Sequence, residues 1–273
     1  GFFVANNIVL SASALIVLIG TTYPIFYESF FSKQLTMGRS FYDILVGPLL
    51  LILIYLMVFS TKVSKVNLNL KEWISENQNQ INLSLILSII FTVYFNASYK
   101  FIITIFGSIL LIIVISKNIL RRFKKTKLQG KYWTGQISHL GVGIFAVGLI
   151  MNVTQSYSNE LIISAGDEVN FGDKEFLILS PFEEIKSEKN VINLPIKFNN
   201  KEKYASLNIF KNSSQQAISS PAVFRSIESD TYVTIKVIDE DKYKLIFREN
   251  YGIFILWLGL GISSASFLTR IRK

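Results

Sequence analysis

The sequence predicts a polytopic α-helical membrane protein of about six transmembrane helices, with an all-β domain inserted before the last of them. Three observations predict it. Six apolar runs approach the ~20 residues needed to cross a hydrocarbon core. Half of the 273 residues are hydrophobic and only 17% are charged, with a mean hydropathy of +0.40. A soluble domain carries about 25% charge. The third observation is one polar stretch, 154–248, which breaks the apolar pattern with short runs of strand-forming residues.

In chain order the predicted spans are 8–26, 43–60, 81–95, 101–116, 133–153 and 251–268. Phe41 and Tyr42 lead into the second. The third is the weakest, because Asn82, Ser84 and Ser88 interrupt it. It reads as a half-span, or as one arm of a tight helical hairpin with the fourth through residues 96–100. The predicted domains are thus a five-span membrane part (1–153), an external β domain (154–248), and a final helix with a short tail (249–273).

The basic residues orient the chain. Segments 60–80, 117–132 and the C-terminal tail hold 13 Lys and Arg, whereas the opposite short loops hold only Lys33, Arg39 and Lys100. The positive-inside rule places the 13-charge side in the cytoplasm. The β domain then lies outside, in a periplasm or an equivalent space. The formal charge of +9 divides unevenly. The external stretch has 12 basic and 14 acidic residues, so all of the excess sits in the membrane part. The basic balance therefore gives no support to a nucleic-acid partner.

The external stretch alternates strands with turns. Runs 160–163, 174–180, 191–198, 203–210, 231–237 and 243–248 are rich in Ile, Val, Phe, Leu and Tyr. Gly166-Asp167, Gly172-Asp173, Asn199-Asn200 and Asp239-Glu240-Asp241 punctuate them. Segments 186–190 and 212–220 read as longer loops. About 95 residues suffice for one small sandwich or barrel.

Few residues can carry chemistry. With no Cys, this chain holds no disulfide, thiolate metal site or Cys nucleophile, and a single His excludes an all-His metal site. Glu183 and Glu184 are adjacent in a predicted exposed loop and do not resemble a catalytic pair. Arg225 and Asp230 flank a turn as a surface pair. The aromatic segment Phe26-Tyr27-Glu28-Ser29-Phe30-Phe31 reads as an external loop, either anchoring at the interface or holding an apolar ligand. Basic segment 117–131 reads as a topology determinant beside anionic lipid, or as a dock for a cytoplasmic partner.

His139 stands apart. It lies six residues past Trp133, about 9 Å into the fifth span at 1.5 Å per residue. An ionisable group at that depth is costly unless it is paired, buried in protein or coordinated. At helical spacing Gly135, His139, Gly143 and Ala146 share one face. Small residues beside an imidazole leave room for a flat partner such as a porphyrin, whose iron takes a neutral His nitrogen. The same pattern suits close helix packing with an interhelical hydrogen bond, or a proton relay. A relay lacks an intramembrane acid, since Glu28, Asp43 and Glu249 sit at span ends.

Several segments together resemble one family. Asn6-Asn7, an apolar helix and then Gly20-Thr21-Thr22-Tyr23-Pro24 resemble the NN…GTxYP signature of the CcmF family, the membrane haem lyases of cytochrome c maturation. Gly38, Phe41 and Pro48 fit its next block, although prolines usual near Arg39-Ser40 are absent. Ser138-His139-Leu140-Gly141 resembles the family's AHLG helix. Ala165-Gly166-Asp167 resembles its PGD turn, with Ala in place of Pro. Pro221, Arg225 and Asp230-Thr231-Tyr232-Val233 resemble the stretch ending DLYV.

The resemblance implies the C-terminal part of such a protein. The tryptophan-rich WWD segment and the family's other three functional histidines are missing, and the chain opens on Gly1, so it reads as a piece or natural half of something longer. Alone it is then expected to be inactive. The resemblance implies that His139 is one of two axial ligands of an internal b-type haem, with Gly135 and Gly143 as haem-facing small residues. The implied reaction joins haem vinyl groups to the two thiols of a CxxCH motif in apocytochrome c. Implied partners are haem, a haem-delivering chaperone, other maturation subunits and apocytochrome c. The implied place is a bacterial inner membrane, or alternatively a mitochondrial one. The competing reading is a non-enzymatic permease or scaffold whose basic loop docks a cytoplasmic ATPase.

Overall fold

The computed structural model describes residues 2–31, 33, 35–60, 70–123, 130–164, 166–211, 217–239 and 242–268. Lys62, Lys65, Lys124, Lys125, Lys127, Arg270, Arg272 and Lys273 of the orienting charges lie outside these, as do Ala165, Glu240, Asp241 and residues 212–216 of a predicted loop. The chain divides into a helical unit (Gly1–Ile150 with Ile255–Lys273) and a β unit (Met151–Phe254).

The helical unit contains α1 (Phe2–Phe31), α2 (Arg39–Ser60), α3 (Leu70–Glu76), α4 (Gln78–Tyr94), α5 (Ile102–Phe123, entered through a 3-10 turn at Tyr99–Phe101), α6 (Gly130–Gln155) and α7 (Ile253–Ala265). Among the described residues, four helices are long and apolar enough to cross a membrane: α1, α2, α5 and α6. The other two predicted spans are shorter, with 17 residues in α4 and 13 in α7. Helix α3 was not foreseen. Its apolar content is confined to a few positions, of which Trp73 is buried against Phe59.

The expected external aromatic loop is instead the end of α1. The helix runs through Pro24 to Phe31. Pro24 forfeits one backbone hydrogen bond, but a break at membrane depth would strand several more. Tyr23, Tyr27 and Phe31 also stack at successive helical turns, with ring centroids 6.0 and 4.8 Å apart. Gly20 is required where α1 meets α2. A Cβ there would lie 2.7 Å from the Phe41 ring and 2.9 Å from the Tyr42 hydroxyl.

The centre of the unit is α5. Leu110, Leu111, Val114 and Ile115 pack with Leu53, Met57 and Val58 of α2. The Tyr55 hydroxyl donates to the Ile103 carbonyl at 2.9 Å. The serines that weakened the third predicted span are what α4 buries. Ser84 and Ser88 are fully buried, and each hydroxyl donates to the carbonyl four residues back. Small hydroxyl residues let helices approach closely without stranding a polar group.

The β unit is a two-sheet sandwich. One sheet has the order β1 (Tyr157–Ile163), β10 (Lys242–Tyr251), β9 (Ser229–Asp239), β8 (Ala222–Arg225). The other has the order β2 (Glu168–Phe171), β3 (Lys174–Ile178), β5 (Lys189–Phe198), β6 (Lys201–Phe210), β7 (Ala217–Ser220), with β4 (Phe182–Ile185) also paired to β5. All pairings are antiparallel. Alternate residues meet between the sheets, around Phe176, Leu194, Ile196, Ile235, Leu245 and Phe247. The chain switches sheets at Pro221, which has no N–H to give to either ladder.

Six strands match the predicted runs, and four short ones do not. Glu183 and Glu184 lie in β4 rather than a loop. The expected loop at 186–190 is a tight turn in which the Lys186 amide donates to the Lys189 carbonyl, with Lys189 and Asn190 already in β5. Part of the other expected loop is β7. Four-residue strands hold too few alternations to register in sequence. Arg225 and Asp230 are cross-strand partners, but Asp230 is only 5% exposed, so this is not a surface pair. Burial pushes its carboxyl upward against the opposing pull of Arg225.

The sequence did not reveal a polar knot between the sheets. The buried Glu249 carboxylate of β10 accepts from Lys174 Nζ of β3 at 2.5 Å, from the Ser229 hydroxyl at 2.5 Å and from the Tyr157 hydroxyl at 3.2 Å. Lys174 also donates to Ser229 and Thr231. Gly172, at φ +61°, clears the space, since a Cβ would lie 2.7 Å from the Tyr157 hydroxyl oxygen.

Candidate functional site

Helix α6 carries the residues of interest. Its glycines would each cost a soluble helix about 1 kcal/mol, but here Gly141 and Gly143 set the packing. Gly141 and Gly143 are two residues apart, which is about 200° around a helix. Gly141 lies against α7, where a Cβ would be 2.5 Å from the Ser263 nitrogen. Gly143 lies against α5, where a Cβ would be 2.8 Å from the Ile112 side chain. Ser138 and Ser263 also bond across the α7 side at 3.2 Å. Two neighbours thus close on α6 from opposite sides.

His139 falls on the side away from α7, four residues before Gly143 and four after Gly135. It is half-buried. Its Nδ1 is enclosed and has no hydrogen-bond partner among the described residues. Nε2 is not enclosed in this way and is equally unpartnered among the described residues. A Cβ on Gly135 would meet nothing within 4 Å. One turn of α6 therefore presents a free imidazole beside cleared space.

The four small and polar positions that share this face in sequence do not share one role. Gly143 is filled by Ile112, and Ala146 is 1% exposed, so both serve helix packing. Gly135 alone borders open space. Sequence reasoning missed Gln136. It is 8% exposed, and its Oε1 is buried without a partner among the described residues. It stands three residues before His139, a neighbouring position on the helix surface. The signal was present as an amide in an otherwise apolar span. Among the described residues, no three His, Cys, Asp or Glu side chains gather to hold a metal ion.

The fold resembles that of known proteins, at low sequence identity. No family model matches the chain. Over 182 residues, 63% of this chain, it is 24% identical to the cytochrome c-type biogenesis protein CcmF of Pseudomonas aeruginosa and 22% identical to that of Pseudomonas fluorescens. CcmF of Escherichia coli is 22% identical over 183 residues. A solved structure titled cytochrome c haem lyase CcmF superposes on the whole chain with a TM-score of 0.75 at 13% identity. The chain is similar to CcmF. The matched segment spans 27% of each curated CcmF, and the chain covers 46% of the solved CcmF. The likeness to CcmF carries the fold, apolar helices with an inserted β region.

Proposed function

We propose that this chain forms part of a membrane haem lyase that attaches haem covalently to apocytochrome c. In this reading His139 is one axial ligand of an internal b-type haem. The observation that carries it is the free imidazole at membrane depth. A polar group left unpaired there costs several kcal/mol, so its natural partner is a group from outside this chain. A haem would fit the donor set, because it would bring four nitrogens of its own and ask this chain for only a neutral His nitrogen. Gly135 leaves room beside the ring for a flat group. Gln136 stands near enough in sequence to supply a polar contact at the edge. When bound, the haem iron supplies one-electron redox chemistry.

The chain's own residues then hold and orient. Gly141 and Gly143 lock α6 between α7 and α5, which fixes the direction in which His139 points. The β domain lies on the periplasmic side of an inner membrane, supported by the 13 Lys and Arg of the opposite segments. Its partners are the haem-delivering chaperone, other maturation subunits and apocytochrome c, whose CxxCH thiols receive the haem. The test is the full assembly with His139→Ala, purified and read by absorbance. Loss of the b-type spectrum is expected, and an unchanged spectrum overturns the reading.

A further inference from the structure

We propose that the outer face of the larger sheet binds an extended, uncharged stretch of polypeptide main chain. Only the naming of apocytochrome c as its source rests on the haem-lyase reading. The face carries a groove of about 460 Å³, within the size range of ligand sites. It lies wholly within the β unit.

The register explains its shape. Phe182 pairs with Asn193, Asn193 with Ser206, and Ser206 with Ser220. These four form one row across β4, β5, β6 and β7. Three strand spacings make the row about 14 Å long, the length of about four extended residues. Ser206 and Ser220 make a low floor. Tyr204 stands one row to one side and Asn208 one row to the other.

The floor alternates donors and acceptors. The Ser206 hydroxyl donates to Asn193 Oδ1 at 2.6 Å. Asn193 is only 7% exposed, and its Nδ2 has no partner among the described residues. Its two N–H donors are open to solvent in the groove lining and are available to a ligand. Ser206 Oγ keeps lone pairs that accept. Ser220 Oγ accepts from Asn208 at 3.2 Å, which leaves its own proton free to donate. Asn208 is held by that bond, by the Ile218 carbonyl and by Lys189. Peptide groups offer a matching alternation of C=O and N–H.

Charge and shape select the occupant. Glu184 and Lys186 line the rim and pair at 3.0 Å, and the two charges touching lining residues, Lys189 on Asn208 and Glu202 on Tyr204, are of opposite sign. The groove is therefore neutral and does not suit phosphates or carboxylates. Phe182 and Tyr204 meet edge to face at 85°, so they form a wall and not the flat platform a sugar ring stacks on. A linear, neutral ligand fits this trough. It would cross the strands, unlike a peptide that adds to a sheet edge.

The probe is a fluorescent twelve-residue CxxCH peptide with alkylated thiols, titrated against the full chain in detergent. Binding is expected, and a scrambled peptide of equal composition should bind within about threefold, since main chain carries no sequence. N-methylation of alternate peptide amides should weaken binding about tenfold, the size of one or two lost hydrogen bonds. Asn193→Ala and Ser206→Tyr should each do the same. His139→Ala should leave peptide affinity unchanged, which separates this proposal from the haem reading. Equal binding of the N-methylated peptide to the unaltered chain overturns the proposal, whatever the variants do to folding. So does wild-type affinity in Ser206→Tyr, or binding of maltohexaose in the absence of peptide binding.

Discussion

Gly141 of α6 and Gly259 of α7 meet backbone to backbone. A Cβ on either would lie 2.6 Å from the carbonyl oxygen of the other. A Cβ on Gly259 would also strike the Phe145 backbone nitrogen. No side-chain rotation relieves such contacts, so the helices must separate. Gly259→Ala is expected to destabilise the helical unit by about 1–3 kcal/mol, the cost of overpacking. Gly261→Ala is the control, because a Cβ there meets nothing within 4 Å. It should stay within about 0.5 kcal/mol of the parent. Thermal unfolding in detergent separates the two, and equal behaviour would refute the crossing.

The Lys174–Glu249 contact should dominate the stability of the β unit. The Glu249 side chain is 5% exposed, so removing its cation leaves a buried charge unpaired. Lys174→Met is expected to cost about 3 kcal/mol or more. Glu249→Gln keeps an acceptor for Ser229 and should cost less, about 1 kcal/mol. Hydrogen exchange of β-unit amides measures both. A smaller loss in Lys174→Met than in Glu249→Gln would contradict the arrangement.

Tyr157 makes the β unit sensitive to alkali. Burial first, and then the charge of Glu249, push its phenol up to about 12. In an unfolded chain it titrates near 10. The folded form therefore binds the extra proton between about pH 10 and 12, and stability falls as pH rises through that window. Below pH 10 the contribution is complete. Tyr157→Phe should flatten the decline seen in circular-dichroism melts between pH 10 and 12. An undiminished decline would assign it to other groups, with Tyr251, also raised by burial, the first to test.

Two glycines on the His139 face should respond oppositely. Gly135→Leu fills open space, so haem content should fall while the melting temperature holds. Gly143→Ala meets Ile112 at 2.8 Å, so stability should fall by about 1 kcal/mol while haem content holds. The paired readout is b-haem absorbance and the unfolding midpoint. Loss of haem in both variants, or in neither, would sink the assignment of Gly135.

Much of the architecture was legible because its signals are local. Apolar runs marked six of the seven described helices, all but α3, and runs rich in Ile, Val, Phe, Leu and Tyr marked β1, β3, β5, β6, β9 and β10. The failures share a cause. Phe26–Phe31 looked like a loop because it follows the predicted span 8–26, yet stacked aromatics and the cost of a break at membrane depth carry α1 onward. Ser84 and Ser88 looked like interruptions, and they are the positions α4 buries. Strands β2, β4, β7 and β8 exist because longer neighbours offer them open edges.

By itself the sequence determined the order of helices, the place of the β insertion and the isolation of one histidine in an apolar span. Those follow from periodicity and transfer free energy, which act residue by residue. Only the tertiary structure decided which glycines pack and which leave space. It alone brought Glu249, placed by sequence at a span end, onto Lys174, 75 positions away. It also aligned Asn193, Ser206 and Ser220 into one row. Such relations depend on partners distant in the chain, and a residue's own identity does not record which partner folding will bring to it.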